Sequence, residues 1–201
     1  MPTRSYRNAL RKQAESETIK RIIEATVQLH AEKGALGTSH ADIAHRAGVS
    51  IPTVYKHFPN RNTLIPACSG MVAAAAPGIE MDAILSAPSL TGKLSHLVEA
   101  VYTRYEYFHP WSRWTAADAA ALPELAKVAE YGRTRVEGLV RDFIDKAVER
   151  EMPPEVTAMA LVVLDYPSWN RLTTLLKQSE LVNQAAVHAL QLLISSSQES
   201  E

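Results

Sequence analysis

The sequence predicts an all-α protein with an N-terminal three-helix helix-turn-helix domain, a larger α-helical domain and about nine helices in total. Three observations indicate this fold class. Apolar residues recur at helical spacing along most of the 201 residues. No segment alternates apolar and polar residues for long enough to indicate a strand. Residues 38–58, called here the central motif, have the pattern of a short helix, a tight turn and a second short helix.

Composition restricts the class of protein further. Hydrophobic residues make up 46% of the chain, which is typical of a globular protein and not of a disordered one. Cys68 is the only cysteine, so one chain can form neither a disulfide nor a cysteine-based metal site. No apolar run approaches the length of a membrane span, and the N-terminus lacks the layout of a signal peptide. We therefore expect a cytoplasmic protein with no membrane partner.

Charge is distributed unevenly along the chain. The net charge is −1, but residues 1–65 carry ten Lys and Arg against five Asp and Glu. The remaining residues are correspondingly acidic. A basic N-terminal part on an acidic body is suited to binding phosphates through one end.

The first 16 residues are polar and basic, and we predict a flexible arm. The arm carries four basic side chains: Arg4, Arg7, Arg11 and Lys12. They can contact phosphates or a minor groove, as the arms of some DNA-binding domains do, or form a plain solvated tail. The first helix is expected from about Glu17 to Lys33, because Gly34 and Gly37 follow the last apolar position.

The central motif has capping residues where two short helices need them. Ser39 is a good N-cap, and the Asp42 carboxylate three positions later can return to the open amides. Gly48 supplies the left-handed residue that ends the first helix. Ser50 caps the second helix, and Pro52 lies in its first turn, where a missing amide hydrogen costs nothing. The pattern favours a helix-turn-helix over an ordinary corner between two helices.

Helices continue beyond the central motif. A fourth helix is expected after an Asn60 cap, with Pro66 kinking or dividing it. Later prolines separate the further helices, which are predicted at residues 90–108, 115–122, 124–149, 155–177 and 180–195. We place the helix-turn-helix domain at 17–65, the larger domain at 66–197 and a disordered tail at 198–201.

Two of these helices are apolar on more than one face. Residues 158–164 are seven apolar residues in a row. The last helix carries an apolar stripe made of Val182, Ala185, Ala186, Ala189, Leu190, Leu193 and Ile194. Burying every such face needs either a partner, most commonly in a two-fold dimer, or a larger monomeric core.

These residues resemble the TetR family of bacterial transcription regulators. Residues 21–34 are similar to the family's first helix, 38–58 to its second and third, and 59–64 to the start of its fourth. The chain departs from the family at His30, where an aromatic is usual, at Ile51 and at Pro66. The resemblance implies a near-palindromic double-stranded DNA operator, a small-molecule effector bound by the larger domain, and a homodimer formed through the last two helices.

The side chains around the central motif suit contacts with DNA. A short recognition helix can present three or four side chains to base edges, and Lys56 and His57 can donate to purine or phosphate oxygens. The resemblance implies backbone contacts for Tyr55 and His57 and a phosphate contact for Arg61. Val54 and Phe58 are expected in the core. The complete set of predicted DNA contacts is Thr38, His40, Ser50, Thr53, Tyr55, Lys56, His57 and Arg61.

An aromatic cluster marks a candidate effector site in the larger domain. Pockets lined by aromatics with a few polar groups are typical of ligand sites, although aromatics at helical spacing also build plain cores. We expect a small hydrophobic or aromatic ligand. The candidate contacts are Tyr102, Tyr105, Phe108, His109, Trp111, Trp114, Tyr166 and Trp169.

The predicted function is a sequence-specific DNA-binding transcription regulator, a repressor released from its operator by the ligand. The alternative is a helical dimer that binds a ligand or protein and has lost DNA affinity. An enzyme is not expected, because we find no nucleophile with an activating base, no paired carboxylates and no Gly-rich phosphate loop. Cys68 has no histidine partner that can be recognised in the sequence. We predict no catalytic residue, metal site or cofactor.

Overall fold

The computed structural model describes residues 4–148 and 152–197, so the predicted tail at 198–201 lies outside the described residues. All regular elements in the described part are helices, which confirms the all-α class. They are α1 Arg4–Lys33, α2 His40–Ala47, α3 Ile51–His57, α4 Arg61–Ala74, α5 Met81–Leu85, α6 Leu90–Ala119, α7 Pro123–Ala147, α8 Pro154–Val163, α9 Tyr166–Leu176 and α10 Ser179–Ser196. No described helix is both long and apolar enough to cross a membrane.

The chain forms two compact units. The first unit comprises the described residues up to Ala75 together with His109–Ala129, and the second comprises Ala76–Phe108 and the described residues from Glu130 onward. The predicted boundary after residue 65 therefore falls inside α4, which lies wholly in the first unit. The physical reason is packing, because Ile65 of α4 is buried with Ala35 and Leu122.

The core of the first unit joins its four N-terminal helices. Its fully buried side chains include Ile22 of α1, Ile43 of α2, Val54 of α3 and Leu64 of α4. Phe58, which directly follows α3, is also buried. The prediction that Val54 and Phe58 lie in the core is therefore confirmed. This core fixes the position of α3 against α1 and α2.

The second unit has a separate core. Side chains from α6, α7, α8 and α10 meet in one buried cluster that includes Leu97, Val98, Val101, Phe143, Ala160, Leu164, Val182 and Leu190. Leu164 lies at the end of α8 and Val182 near the start of α10, so residues on either side of α9 in the chain meet in this core.

Helix α1 begins at Arg4, well before the predicted start near Glu17. Residues 9–14 are Ala, Leu, Arg, Lys, Gln and Ala, all strong helix formers, and no Gly or Pro interrupts them. The helix therefore extends through the part of the arm that the structure describes.

The prediction of a break at Pro110 was wrong, since α6 runs from Leu90 to Ala119 with the proline inside it. A proline removes one helical hydrogen bond and does not by itself end a helix. The turn after Pro110 is anchored by Trp111, whose indole Nε1 donates to the carbonyl oxygen of Val27 at 2.9 Å. Pro66 likewise does not divide α4, which runs from Arg61 to Ala74 with the proline inside it.

The helix predicted at 155–177 is two helices, α8 and α9. The Asp165 carboxylate caps α9 by accepting a hydrogen bond from the Ser168 amide at 2.7 Å, and Pro167 lies in the first turn. An N-cap residue followed by an early proline is a helix start signal. The apolar run before it concealed that signal.

Candidate nucleic-acid interface and ligand cavity

Helix α2 has the predicted capping box. The Asp42 amide donates to Ser39 Oγ at 3.1 Å, and the Ser39 amide donates to Asp42 Oδ2 at 2.9 Å. Lys33 Nζ donates to the same carboxylate oxygen at 2.8 Å. Hydrogen bonds from Lys33 and then from Ser39 hold the pKa of the Asp42 carboxyl well below its usual range. The carboxylate is thus tied to α1 and to the start of α2.

The turn between α2 and α3 also has the predicted geometry. Gly48 adopts the left-handed conformation with φ of 63°, and the Val49 amide donates to the Ala44 carbonyl oxygen at 3.0 Å. Ser50 Oγ accepts from the Thr53 amide at 3.2 Å and lies 2.7 Å from Thr53 Oγ1. These contacts set the direction in which α3 leaves the turn, and they confirm the predicted caps.

His40 and Tyr55 form a stacked pair that joins the start of α2 to α3. Their ring centroids are 4.4 Å apart and the planes are 1° from parallel. The His40 Nε2 atom lies 3.0 Å from the carbonyl oxygen of Phe58. Tyr55 is nevertheless half exposed, so its ring is held in place while part of it remains open to solvent.

The side chain of Arg61 binds the main chain of Thr38. The Thr38 side chain is buried, and its hydroxyl donates to the Gly34 carbonyl oxygen at 2.7 Å. The structure therefore gives this hydroxyl a role inside the fold and not at the surface. An Arg61 guanidinium N–H donates to the Thr38 carbonyl oxygen at 3.1 Å, which orients the arginine at the start of α4.

Two ion pairs of the first unit were not predicted from the sequence. Lys56 Nζ donates to Glu15 Oε1 at 3.1 Å, and the Arg46 guanidinium forms two hydrogen bonds with the Glu32 carboxylate at 2.8 and 3.0 Å. Both pairs join α1 to the helix-turn-helix. The partners of each pair lie far apart along the chain, and no sequence motif relates them.

His30 lies against Cys68, a histidine partner that could not be recognised in the sequence. His30 Nδ1 is 3.7 Å from Cys68 Sγ. Burial lowers the pKa of His30 to about 4 and raises the pKa of Cys68 to about 11. Both groups are therefore neutral at pH 7, and the thiol is not activated as a nucleophile.

Three of the residues predicted to contact a ligand belong to the first unit: His109, Trp111 and Trp114. Both indoles there bind carbonyl groups of α1, since Trp114 Nε1 donates to the Ala31 oxygen at 3.2 Å as Trp111 does to Val27. Asp118, which sequence reasoning missed, accepts from the Ala35 and Leu36 amides at 2.6 and 3.2 Å. This end of α6 holds the segment between α1 and α2.

The other predicted ligand contacts belong to the second unit. Tyr105 lies 5.7 Å from Tyr166 and 6.1 Å from Trp169, measured between ring centroids, and Tyr102 lies 6.3 Å from Tyr105. The hydroxyls of Tyr102 and Tyr105 donate to carbonyl oxygens at the end of α8, each at 2.8 Å. Burial raises the pKa of both phenols. Phe108 packs instead beneath the Arg104 guanidinium.

A cavity of about 130 Å³ opens beside this cluster. Its walls come from α6, α9 and α10 and consist of Glu99, Tyr102, Thr103, Glu106, Trp169, Thr173, Ser179, Val182 and Asn183. Tyr102 and Trp169 are thus the predicted contacts that line it. The lining is more polar than expected, and none of these residues is basic.

Comparisons with known proteins agree with this geometry. A family model described as bacterial regulatory proteins, tetR family, matches residues 22–68, which run from α1 into α4. The chain is 26% identical over 136 residues to the HTH-type transcriptional regulator LuxR of Vibrio harveyi, a match that covers 65% of this chain. The match spans 64% of that regulator's length.

Solved structures share the fold over most of the chain. A TetR transcription regulator from Haloarcula marismortui has a TM-score of 0.59 at 16% identity, covering 90% of this chain and 98% of that one. The regulator FadR from Bacillus subtilis, solved in complex with stearoyl-CoA, has a TM-score of 0.55 at 18% identity and covers 88% and 98%.

The capped α2 and α3, with their tight turn, form a helix-turn-helix, the motif of one class of DNA-binding proteins. Residues 22–68 thus match the tetR family of bacterial regulatory proteins, and the chain shares the fold of TetR regulators of known structure.

Proposed function

We propose that the protein is a repressor that binds a near-palindromic DNA operator as a homodimer and leaves it when a small molecule binds the second unit. The observation that carries the DNA-binding part is the capped helix-turn-helix, from which α3 exposes Tyr55 and Lys56. The charge distribution supports the same function, because basic side chains outnumber acidic ones in the first 65 residues while the rest of the chain is acidic.

Each exposed group of the motif suits a particular contact. Lys56 is the strongest candidate for a base edge, since an ammonium group can donate to guanine O6 and N7. Tyr55 suits a phosphate oxygen, and its stacking on His40 lowers the entropy lost when it binds. Thr53 offers a hydroxyl and a methyl group, and Arg61 is oriented for a phosphate by the Thr38 carbonyl.

The remaining predicted contacts have supporting roles. Ser50 shares a hydrogen bond with Thr53, so it sets the direction of that hydroxyl. His57 is half-buried in the last turn of α3, where a backbone contact suits it better than a base contact. Thr38 acts through its carbonyl group.

The experiment selects binding sites from a random DNA library and titrates the best duplex against salt. The wild type should enrich a near-palindrome. The logarithm of its binding constant should fall linearly with the logarithm of the salt concentration, because phosphate contacts release counterions. Lys56→Ala and Tyr55→Ala should each weaken binding roughly tenfold, the size of a typical base or phosphate contact.

Lys146→Ala is the matched control, since this exposed lysine of α7 is paired with Asp142 in the second unit. It should leave the affinity unchanged. Absence of any salt-dependent DNA binding would favour the alternative function, a ligand- or protein-binding helical dimer without DNA affinity. Equal affinity of Lys56→Ala and wild type would remove Lys56 from the interface.

The lining of the cavity defines the class of effector that we propose. Trp169 and Tyr102 offer aromatic surface, while Glu99 and Glu106 contribute carboxylates. A small aromatic molecule with a neutral or positively charged polar group fits this lining. An anion such as a fatty acyl-CoA does not fit it, so we do not transfer the ligand of the Bacillus subtilis neighbour to this chain.

A further inference from the structure

We propose that Glu15 is a positioning residue for DNA recognition, which restrains the ammonium group of Lys56 through an ion pair and competes with phosphates for it. This inference rests on the proposed function. It concerns a contact between α1 and the last turn of α3, where Lys56 Nζ donates to Glu15 Oε1 at 3.1 Å. The contact exists because α1 extends back to Arg4, past the start that sequence patterns predict.

The surroundings of Glu15 keep it ionised. The hydrogen bond from Lys56 and the charge of that lysine lower the pKa of the Glu15 carboxyl, and the nearby His57 and Arg11 add to the effect. Both partners remain accessible, since the side chain of Lys56 is 64% exposed and that of Glu15 is 44% exposed. The pair is therefore a surface ion pair within reach of DNA and not a contact of the core.

The pair leaves Lys56 able to bind bases. A lysine ammonium has three N–H donors, and Glu15 uses one, so two remain for acceptors such as guanine O6 and N7. A lysine side chain without a partner has four rotatable bonds and is free to reach for the backbone. A phosphate must compete with the Glu15 carboxylate for this ammonium group, whereas a neutral base acceptor can use the remaining donors. The ion pair therefore favours a base contact over a phosphate contact.

The same carboxylate opposes non-specific binding. Non-specific complexes depend almost wholly on basic side chains that meet phosphates. Glu15 neutralises one of these side chains and repels the phosphates themselves. In a specific complex the base contact of Lys56 is retained, so the penalty falls mainly on the non-specific complex. The contact between Glu15 and Lys56 thus raises the ratio of specific to non-specific affinity.

The test compares two duplexes of equal length, one carrying the selected site and one with that site scrambled. Glu15→Gln should raise affinity for the scrambled duplex roughly threefold to tenfold and make its salt dependence steeper by nearly one counterion. Affinity for the selected site should stay within about twofold, because the base contact survives. The specificity ratio should therefore fall.

Two further variants separate positioning from net charge. Glu17→Gln removes the same charge from α1 beside Glu15 but lies outside the Lys56 pair, so it should change both duplexes equally and by less. In a Lys56→Gln background, Glu15→Gln should lose its selective effect. Equal behaviour of Glu15→Gln and Glu17→Gln, or an undiminished effect without Lys56, would overturn the inference while DNA binding stands. A wild type that binds neither duplex would overturn the proposed function as well.

Discussion

His30 is a titratable residue at a half-buried position of the first unit. It lies on α1 against Cys68, and burial is the main cause of its low pKa of about 4. The positive charge of Arg61 lowers the pKa further, and the negative charge of Asp118 partly opposes this. The neutral imidazole fills a place where the resemblance implies an aromatic ring. Protonation would put a cation inside the first unit.

A pH dependence of stability follows from His30. The unfolded chain takes up this proton below about pH 6.5, whereas the folded protein takes it up only near pH 4. Because the unfolded state binds more protons in this window, stability should fall as pH decreases from about 6.5 to about 4, by on the order of 2 kcal/mol. Urea denaturation at a series of pH values measures this loss.

His30→Phe supplies the comparison for that measurement. Phenylalanine keeps an aromatic ring at the site but cannot titrate, so the free energy of unfolding of the variant should change little across the same window. If the variant and the wild type lose stability equally as pH falls, the pH dependence arises elsewhere in the chain.

At the scale of elements, α8 and α10 each have two apolar faces. One face of each helix is buried in the second unit, through side chains such as Ala160 and Leu190. The other carries large apolar side chains that are exposed in the single chain: Met159 and Val162 on α8, and Leu181 and Leu192 on α10. A monomer leaves this second face in water, which supports the proposed dimer.

Substitution of the exposed face tests that dimer. Val162→Glu should convert the protein to a monomer, because a charge at the centre of an apolar interface must be desolvated without a partner. Tyr131→Glu is the matched control, since Tyr131 is 63% exposed but lies on α7, outside the last helices of the chain. Light scattering after gel filtration gives the mass of each. A wild type of monomeric mass, or an unchanged mass for Val162→Glu, would contradict the assignment.

At the scale of the whole molecule, α6 contributes to both compact units. Its residues Leu90–Phe108 belong to the second unit, where Glu99 and Tyr102 line the cavity. Its remaining residues belong to the first unit, where Asp118 binds the segment that precedes α2. A helix that carries both sets of side chains is a physical basis for coupling the proposed ligand to the proposed operator.

Ligand binding is expected to weaken DNA binding, and tryptophan fluorescence can identify the ligand. An aromatic amine that enters the cavity should quench the fluorescence of Trp169 and lower operator affinity by at least roughly fivefold, the low end of typical coupling. Trp169→Phe should abolish the quenching, whereas Trp111→Phe should retain it, since Trp111 lies in the first unit. Quenching that survives in Trp169→Phe would place the ligand elsewhere.

The helix-turn-helix was largely predictable because its determinants are local. Ser39, Gly48 and Ser50 act through hydrogen bonds to residues at most four or five positions away, so a short stretch of sequence contains both partners. Helical class and most helix positions followed from apolar spacing for the same reason. The effect of Pro110 was misjudged, because whether a proline ends a helix depends on what anchors the turn beyond it.

The sequence by itself determined the all-α class, the capped motif and the resemblance of its N-terminal part to the TetR family. Only the tertiary structure decided the partners of Lys56, His30 and Asp118. Their contacts join residues separated by 41, 38 and 83 positions, so no local pattern relates the two sides of each pair. The tertiary structure also divided the aromatic residues between the two units. Which aromatic side chains group together depends on how α6 packs and not on their spacing in the sequence.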